Sequence, residues 1–164
     1  MKERLIPYTG QRYECVMCGE CCHNRAVPLT KIDIDRLEHH LGEEVDFSEY
    51  LVNKGYFVLS RRIWDNGCVL LRDNKCSVHA IKPLVCRLFP FAVYPAPEDP
   101  DDTENAYTLA DGTVVYLYVD IACPGVHIDE IVSPPSWLLS LVQRIRLEMA
   151  LTRFYYEDTQ DNAD

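Results

Sequence analysis

Four cysteines fall within eight positions of the stretch YECVMCGECCHN, residues 13–24: Cys15, Cys18, Cys21 and Cys22. No other feature limits the fold as severely, because the chain must arrange itself around whatever those sulfurs hold. Disulfides, zinc and iron–sulfur are the three choices. The first ten residues, MKERLIPYTG, are too charged and too poor in apolar side chains for a secretory signal. The longest apolar run, LFPFAVYPAP, falls far short of the roughly 20 residues of a membrane span and contains three prolines. The expectation is a cytoplasmic protein not inserted in a membrane. In that reducing compartment clustered thiols bind metal or do chemistry more often than they pair as disulfides.

The 164 residues suit one compact domain, residues 1–157, followed by a flexible acidic tail at 158–164. The formal net charge of −10 argues against nucleic acid as a partner, since a polyanion would be repelled. The first thirty residues read as loop. A helix follows in LTKIDIDRLEHHLG, with Thr30 as N-cap, Ile34, Leu37 and Leu41 on one face and Gly42 as the stop. DFSEYLV reads as a second short helix. YFVLSRRIW and CVLL flank the turn DNG as a hairpin, and a second turn, DNK, leads into Cys76. SVHAI makes one helical turn, and CRLFPFAVYP reads as extended. AYTLADGTVVYLYVD forms a hairpin around Asp111–Gly112. A long helix starts near Pro135 and runs toward Tyr156, with Leu138, Leu141, Val142, Ile145, Met149 and Phe154 at helical period. The fold class is therefore α+β, short helices and β-hairpins with a long C-terminal helix, and with the cysteines in connections.

Cys15, Cys18 and Cys21 are spaced C-x2-C-x2-C, which lets a loop turn three sulfurs toward one cubane while a fourth ligand, followed by proline, comes from elsewhere. Cys123–Pro124 is such a pair. Gly19 tolerates the backbone angles of a tight loop around a metal. Adjacent side chains diverge, so Cys21 and Cys22 do not both ligate one compact centre. One of them faces a second site, exchanges as a replacement ligand, or packs as a thiol. Cys68 and Cys76 sit at hairpin ends, Cys86 precedes an arginine and Cys123 a proline. Eight cysteines suffice for two sites of four, or for one cluster and four structural thiols.

CVMCGECC, CSVHAIKPLVCRLFPF and the later CPG together resemble the CxxCxxCC (YkgJ-type) cysteine-cluster family of zinc- or iron-chelating domains. The resemblance runs from Tyr13 to about Gly125. It implies that all eight cysteines, Cys15, Cys18, Cys21, Cys22, Cys68, Cys76, Cys86 and Cys123, belong to the metal-binding plan. His79 stands where the family often has tyrosine, and Lys82 where it has arginine before Pro83. Lys82 keeps the charge without the planar fork. Arg87 and Pro90 match, and Arg87 would offset the charge of a thiolate-ligated centre. Some relatives are flagellin lysine N-methylases, but no glycine-rich turn follows a strand here to hold S-adenosylmethionine. Radical chemistry on that cofactor wants C-x3-C-x2-C, which is absent.

His23 beside the cluster and His79 are further candidate ligands. No constellation of acid, base and nucleophile marks an enzyme. The expectation is a non-catalytic [4Fe–4S] protein, with Cys15, Cys18 and Cys21 or Cys22 first among the ligands. It would act as an oxygen- or redox-responsive accessory subunit docking onto a larger enzyme complex through the acidic loop 98–104 or the C-terminal helix. The alternatives are a structural zinc module, an electron-transfer protein, or a methyltransferase component.

Overall fold

The computed structural model describes residues 4–161. In chain order the elements are β1 Leu5–Pro7, β2 Gln11–Tyr13, β3 Pro28–Leu29, α1 Lys31–Leu41, β4 Ser48–Leu51, β5 Tyr56–Leu59, β6 Leu71–Arg72, β7 Lys75–Cys76, α2 Leu84–Leu88, β8 Phe91–Tyr94, β9 Ala106–Thr108, β10 Val114–Asp120, β11 Val126–Ile131 and α3 Ser136–Asp161. The chain is α+β, and it divides into two compact units. The first comprises Met1–Cys18 and Leu88–Gln143, the second Gly19–Arg87 and Arg144–Asp164.

The first unit is organised by β10, VVYLYVD. Its alternation puts Val115, Leu117 and Val119 on the buried face. The strand pairs antiparallel with β1, β8 and β9. The Asp111–Gly112 turn supplies the expected β9–β10 hairpin, Gly112 at a φ of 86°. Tyr8, Phe91 and Leu109 complete this core together with Leu138 and Val142, one turn apart at the start of α3. A second ladder joins β2 to β11, Tyr13 opposite Val126.

In the second unit α1 begins at a capping box. Thr30 Oγ1 accepts from the Asp33 amide at 3.0 Å, and the Asp33 carboxylate accepts from the Thr30 amide at 3.1 Å. Gly42 ends the helix at a φ of 93°. Ile34 and Leu37 pack with Val27, Leu29, Phe47, Leu59, Leu70 and Val78, and Cys68 is a full member of this core. The sheet β3–β5–β4 and the β6–β7 hairpin border it.

Several expectations need correction. The first thirty residues are not a loop: they contribute β1, β2 and β3, whose partners lie far along the chain. DFSEYLV forms β4 rather than a helix, because pairing with β5 satisfies its backbone. The DNG hairpin shrinks to an isolated Arg61–Cys68 bridge and flanking amide bonds, since β5 spends its edges on β3 and β4. CRLFPFAVYP is not uniformly extended, as Leu84–Leu88 is helical before β8. Two cysteines consequently lie in regular elements, Cys76 in β7 and Cys86 in α2. Phe154 is 64% exposed rather than core. α3 continues through Asp161 into the expected tail, of which residues 162–164 lie outside the described residues.

Candidate metal centre

Local backbone chemistry builds the thiol group of the second unit. Gly19 has a φ of 79°, and a β-carbon there would overlap the carbonyl oxygen of Asn74. Only glycine permits this approach, which seats the cysteine loop on the β6–β7 turn. That turn is tight, with Asp73 and Asn74 at φ values of 48° and 60°, and it delivers Cys76 two residues later. From Gly19 a 3-10 turn carries Glu20–Cys22, closed by the Cys22 amide donating to Gly19 O at 3.0 Å. Cys22 O in turn accepts from the Cys68 amide at 2.7 Å. Three separate segments, at Cys22, Cys68 and Cys76, are thus brought together.

Cys22 lies between two other thiols, hydrogen-bonded to Cys21 on one side and Cys76 on the other. The hydrogen bond from Cys22 holds Cys21 down at about 6, with help from Arg25 and Lys82. The same partner lowers Cys76 to about 6, aided by the Val78 amide and Lys82. Cys22 itself is driven upward, its single proton being shared between Cys21 and Cys76 rather than donated to both at once. Burial raises Cys68, whose sulfur accepts from the Leu70 amide at 3.4 Å. Burial also pushes Cys86 up to about 12, against the pull of Arg25. Cys68 and Cys76 therefore share one local device, a sulfur accepting the amide of the residue two positions on.

The remaining three cysteines belong to the first unit. The Glu14 amide donates to Gly125 O at 3.0 Å, which extends the Tyr13–Val126 pairing by one residue. A β-carbon on Gly125 would overlap Glu14 O, so glycine is required there too. Cys15 follows that bond directly on one segment, and Cys123 lies two residues before Gly125 on the other. Cys15 and Cys18 are exposed and Cys123 is buried.

Histidine and arginine candidates take other positions. His23 turns Nδ1 toward Gly19 O at 3.2 Å and Nε2 toward Asp65 at 3.8 Å. His79 lies in the 3-10 turn His79–Ile81, its pKa lowered by burial and by Lys82. Arg87 Nε donates to Lys82 O at 3.1 Å, and its guanidinium faces Asp33, Arg36, Arg144 and Glu148. The cations acting on the thiols are instead Arg25, Arg61, Arg62 and Lys82. Arg61 was not legible as a site residue: SRRIW reads as strand. Its Nη1 donates to Cys22 O at 3.4 Å, and its buried Nη2 has no hydrogen-bond partner. Burial lowers its pKa, against Cys68, Cys86 and Cys22.

Among the described residues, no three His, Cys, Asp or Glu side chains stand in a geometry that would hold a metal ion as they are. The thiols meet through hydrogen bonds instead. Their chemistry nonetheless fits the metal that the sequence implies. Five thiols share one unit, amides point at two sulfurs, and a buried guanidinium N–H awaits an acceptor beside them. Such a soft set suits zinc or iron and is wrong for calcium or magnesium.

A family comparison points to the same metals. A family profile described as "CxxCxxCC: Putative zinc- or iron-chelating domain" matches residues 14–112. An uncharacterized protein of Methanocaldococcus jannaschii is 32% identical over 94 residues, covering 53% of this chain and 32% of that protein. A second uncharacterized protein of the same organism is 30% identical over 104 residues, covering 57% of this chain and 54% of its own length. The chain thus spans about a third to a half of the lengths of these relatives. No solved structure matches. With more than half of its residues inside the profile, the chain belongs to the CxxCxxCC family of zinc- or iron-chelating domains.

Proposed function

We propose that this protein is a non-catalytic [4Fe–4S] protein of the cytoplasm, a redox-responsive accessory subunit that docks onto a larger enzyme. The observation that carries the reading is the all-sulfur meeting point of Cys21, Cys22 and Cys76, flanked by Cys68 and Cys86 and served by amide donors and cations. Four of those five thiols, with either Cys21 or Cys22 left out, would hold the group within the second unit, and Cys15, Cys18 and Cys123 are the first unit's candidates. When bound, an iron–sulfur cluster supplies a one-electron, air-sensitive centre whose potential depends on N–H donors to sulfur. The Leu70 and Val78 amides are such donors.

Regulation follows from what the cysteine segments carry. Between Arg61 and Cys68 the chain forms a tip that displays Ile63 and Trp64, 99% and 79% exposed. Arg62 braces it by a two-point ion pair with Asp65, and Gly67 bridges to His23. The base of the tip is Cys68, whose amide donates to Cys22 O. Releasing the common attachment of Cys22, Cys68 and Cys76 would free this apolar tip and change the surface offered to a partner. An exposed Trp beside an Ile is the composition of an interface anchor.

Protein purified without oxygen should contain about four iron and four sulfide per chain, with an absorption band near 400 nm that bleaches in air. Stoichiometric zinc without sulfide, and no response to air, would replace this reading with the structural zinc module.

A further inference from the structure

The outer face of α3 is apolar where a helix packed on one side alone should be polar. Within the second unit Glu148 and Thr152 point inward and are buried, while Leu147, Leu151 and Phe154 are 60%, 58% and 64% exposed. Arg144, Leu147, Leu151, Phe154 and Asp158 follow one another at steps of 3, 4, 3 and 4 residues, the spacing of a helix–helix seam. All five are exposed. Ala150, also exposed, lies on the same stripe and leaves room for a close approach.

The charges at the two ends choose the partner. Arg144 and Asp158 lie seven residues on either side of Leu151. A second copy laid antiparallel across Leu151 would bring each Arg144 level with the other copy's Asp158. It would also bring the basic flank, Arg146, toward the acidic one, Glu157. A parallel copy would oppose Arg144 to Arg144 and Asp158 to Asp158. Arg144 keeps guanidinium donors for a second carboxylate, since its Nε alone is engaged with Glu148 at 2.7 Å.

We infer that a second copy of this chain covers the face, through an antiparallel pairing of α3 with two-fold symmetry about Leu151. An isologous contact of this kind uses one patch twice and needs no other surface. The inference is independent of which metal the thiols hold.

Sedimentation velocity on the full metal-loaded chain, in reductant and across a range of concentration, tests it. The expected result is a reversible dimer. Leu151→Asp should weaken it on the order of 100-fold, by burying two facing charges. Arg144→Asp and Asp158→Arg should each weaken it about tenfold, and the double variant should recover affinity. Circular dichroism and metal content confirm that each variant is folded. A wild-type monomer throughout overturns the inference. So does a dimer indifferent to Leu151→Asp, or a double variant no tighter than either single one.

Discussion

The two units bury their interiors by different means. Around β10 the core is hydrocarbon and aromatic, Val115, Leu117 and Val119 against Phe91, Tyr8 and Leu138. Around α1 the same kinds of residues surround Cys68, with Cys22, Cys76 and Cys86 packed at the margin. The second unit also buries charge. Asp33 is inaccessible, and its carboxylate accepts from Arg36 at 2.8 Å and from the Leu84 amide at 3.3 Å. The core of the first unit is closed by apolar and aromatic packing, whereas the core of the second is lined in part by thiols.

The largest expected effect separates the two directly. Metal held by a thiolate set contributes on the order of 10 kcal/mol to the folded state. Chelation under reducing, oxygen-free conditions should therefore collapse hydrogen-exchange protection in residues 19–29 and 66–78. Protection of Leu117 and Val119 in β10 should survive. Equal loss in both units, read peptide by peptide by mass spectrometry, would break the distinction.

A glycine pair sharpens it. Gly19→Ala meets both a positive φ and the Asn74 carbonyl, so it should cost about 3 kcal/mol or more and lower the metal retained. Gly112 in the first unit has a similar φ, 86°, but nothing within 4 Å of its missing β-carbon. Gly112→Ala should cost only ~1–2 kcal/mol and leave metal content alone. Denaturant midpoints with metal analysis measure both.

Alkali should act on each unit through phenols whose pKa is raised, chiefly buried Tyr8 in the first and half-buried Tyr156 in the second. Burial, with Tyr107 nearby, raises Tyr8 from 10.0 to about 12, and burial with Tyr155 raises Tyr156 to about 12. A raised folded pKa favours the protonated form, so this contribution is complete below pH 10 and is lost as pH climbs through 12. For inaccessible Tyr8 the loss amounts to about 2–3 kcal/mol. Tyr8→Phe keeps the ring packing against Phe91 and should lessen the alkaline fall of β10 protection, Tyr107 and Tyr118 retaining their raised phenols. The second unit's fall, carried by Tyr156, should stay.

What could be read in the sequence follows the same division. CVMCGECC, the Thr30 cap, the Gly42 stop and the Asp111–Gly112 hairpin are local, each stated by residues a few positions apart. Arg61 faces the thiols only because the Ser60–Val69 pairing folds it back over Cys22. β1 and β2 pair with partners more than a hundred residues away, so their short runs carry no periodic pattern. β4 has helical composition overruled by a neighbouring strand. Phe154 follows Leu138 by 16 residues, which at 3.6 residues per turn leaves it about 160° round the helix, so its side chain faces solvent while Leu138 is buried.

The smallest expected effect concerns holding thiols as against displaying a surface. Trp64 contacts Arg62, whose Cζ lies 5.5 Å above the indole, and is otherwise open to solvent. An exposed cation–π contact is worth about 0.5–1 kcal/mol, and the Arg62–Asp65 pair that shapes the tip does not need the ring. Trp64→Ala should therefore shift the denaturant midpoint by no more than about 1 kcal/mol and leave metal content unchanged. Arg62→Ala should loosen exchange protection at the Gly67 amide, which now donates to Asp65 at 2.9 Å. If Trp64→Ala lowered metal content, the tip would be supporting the thiols rather than presenting itself. The second unit's exposed apolar residues would then belong to its stability, as the first unit's buried ones do.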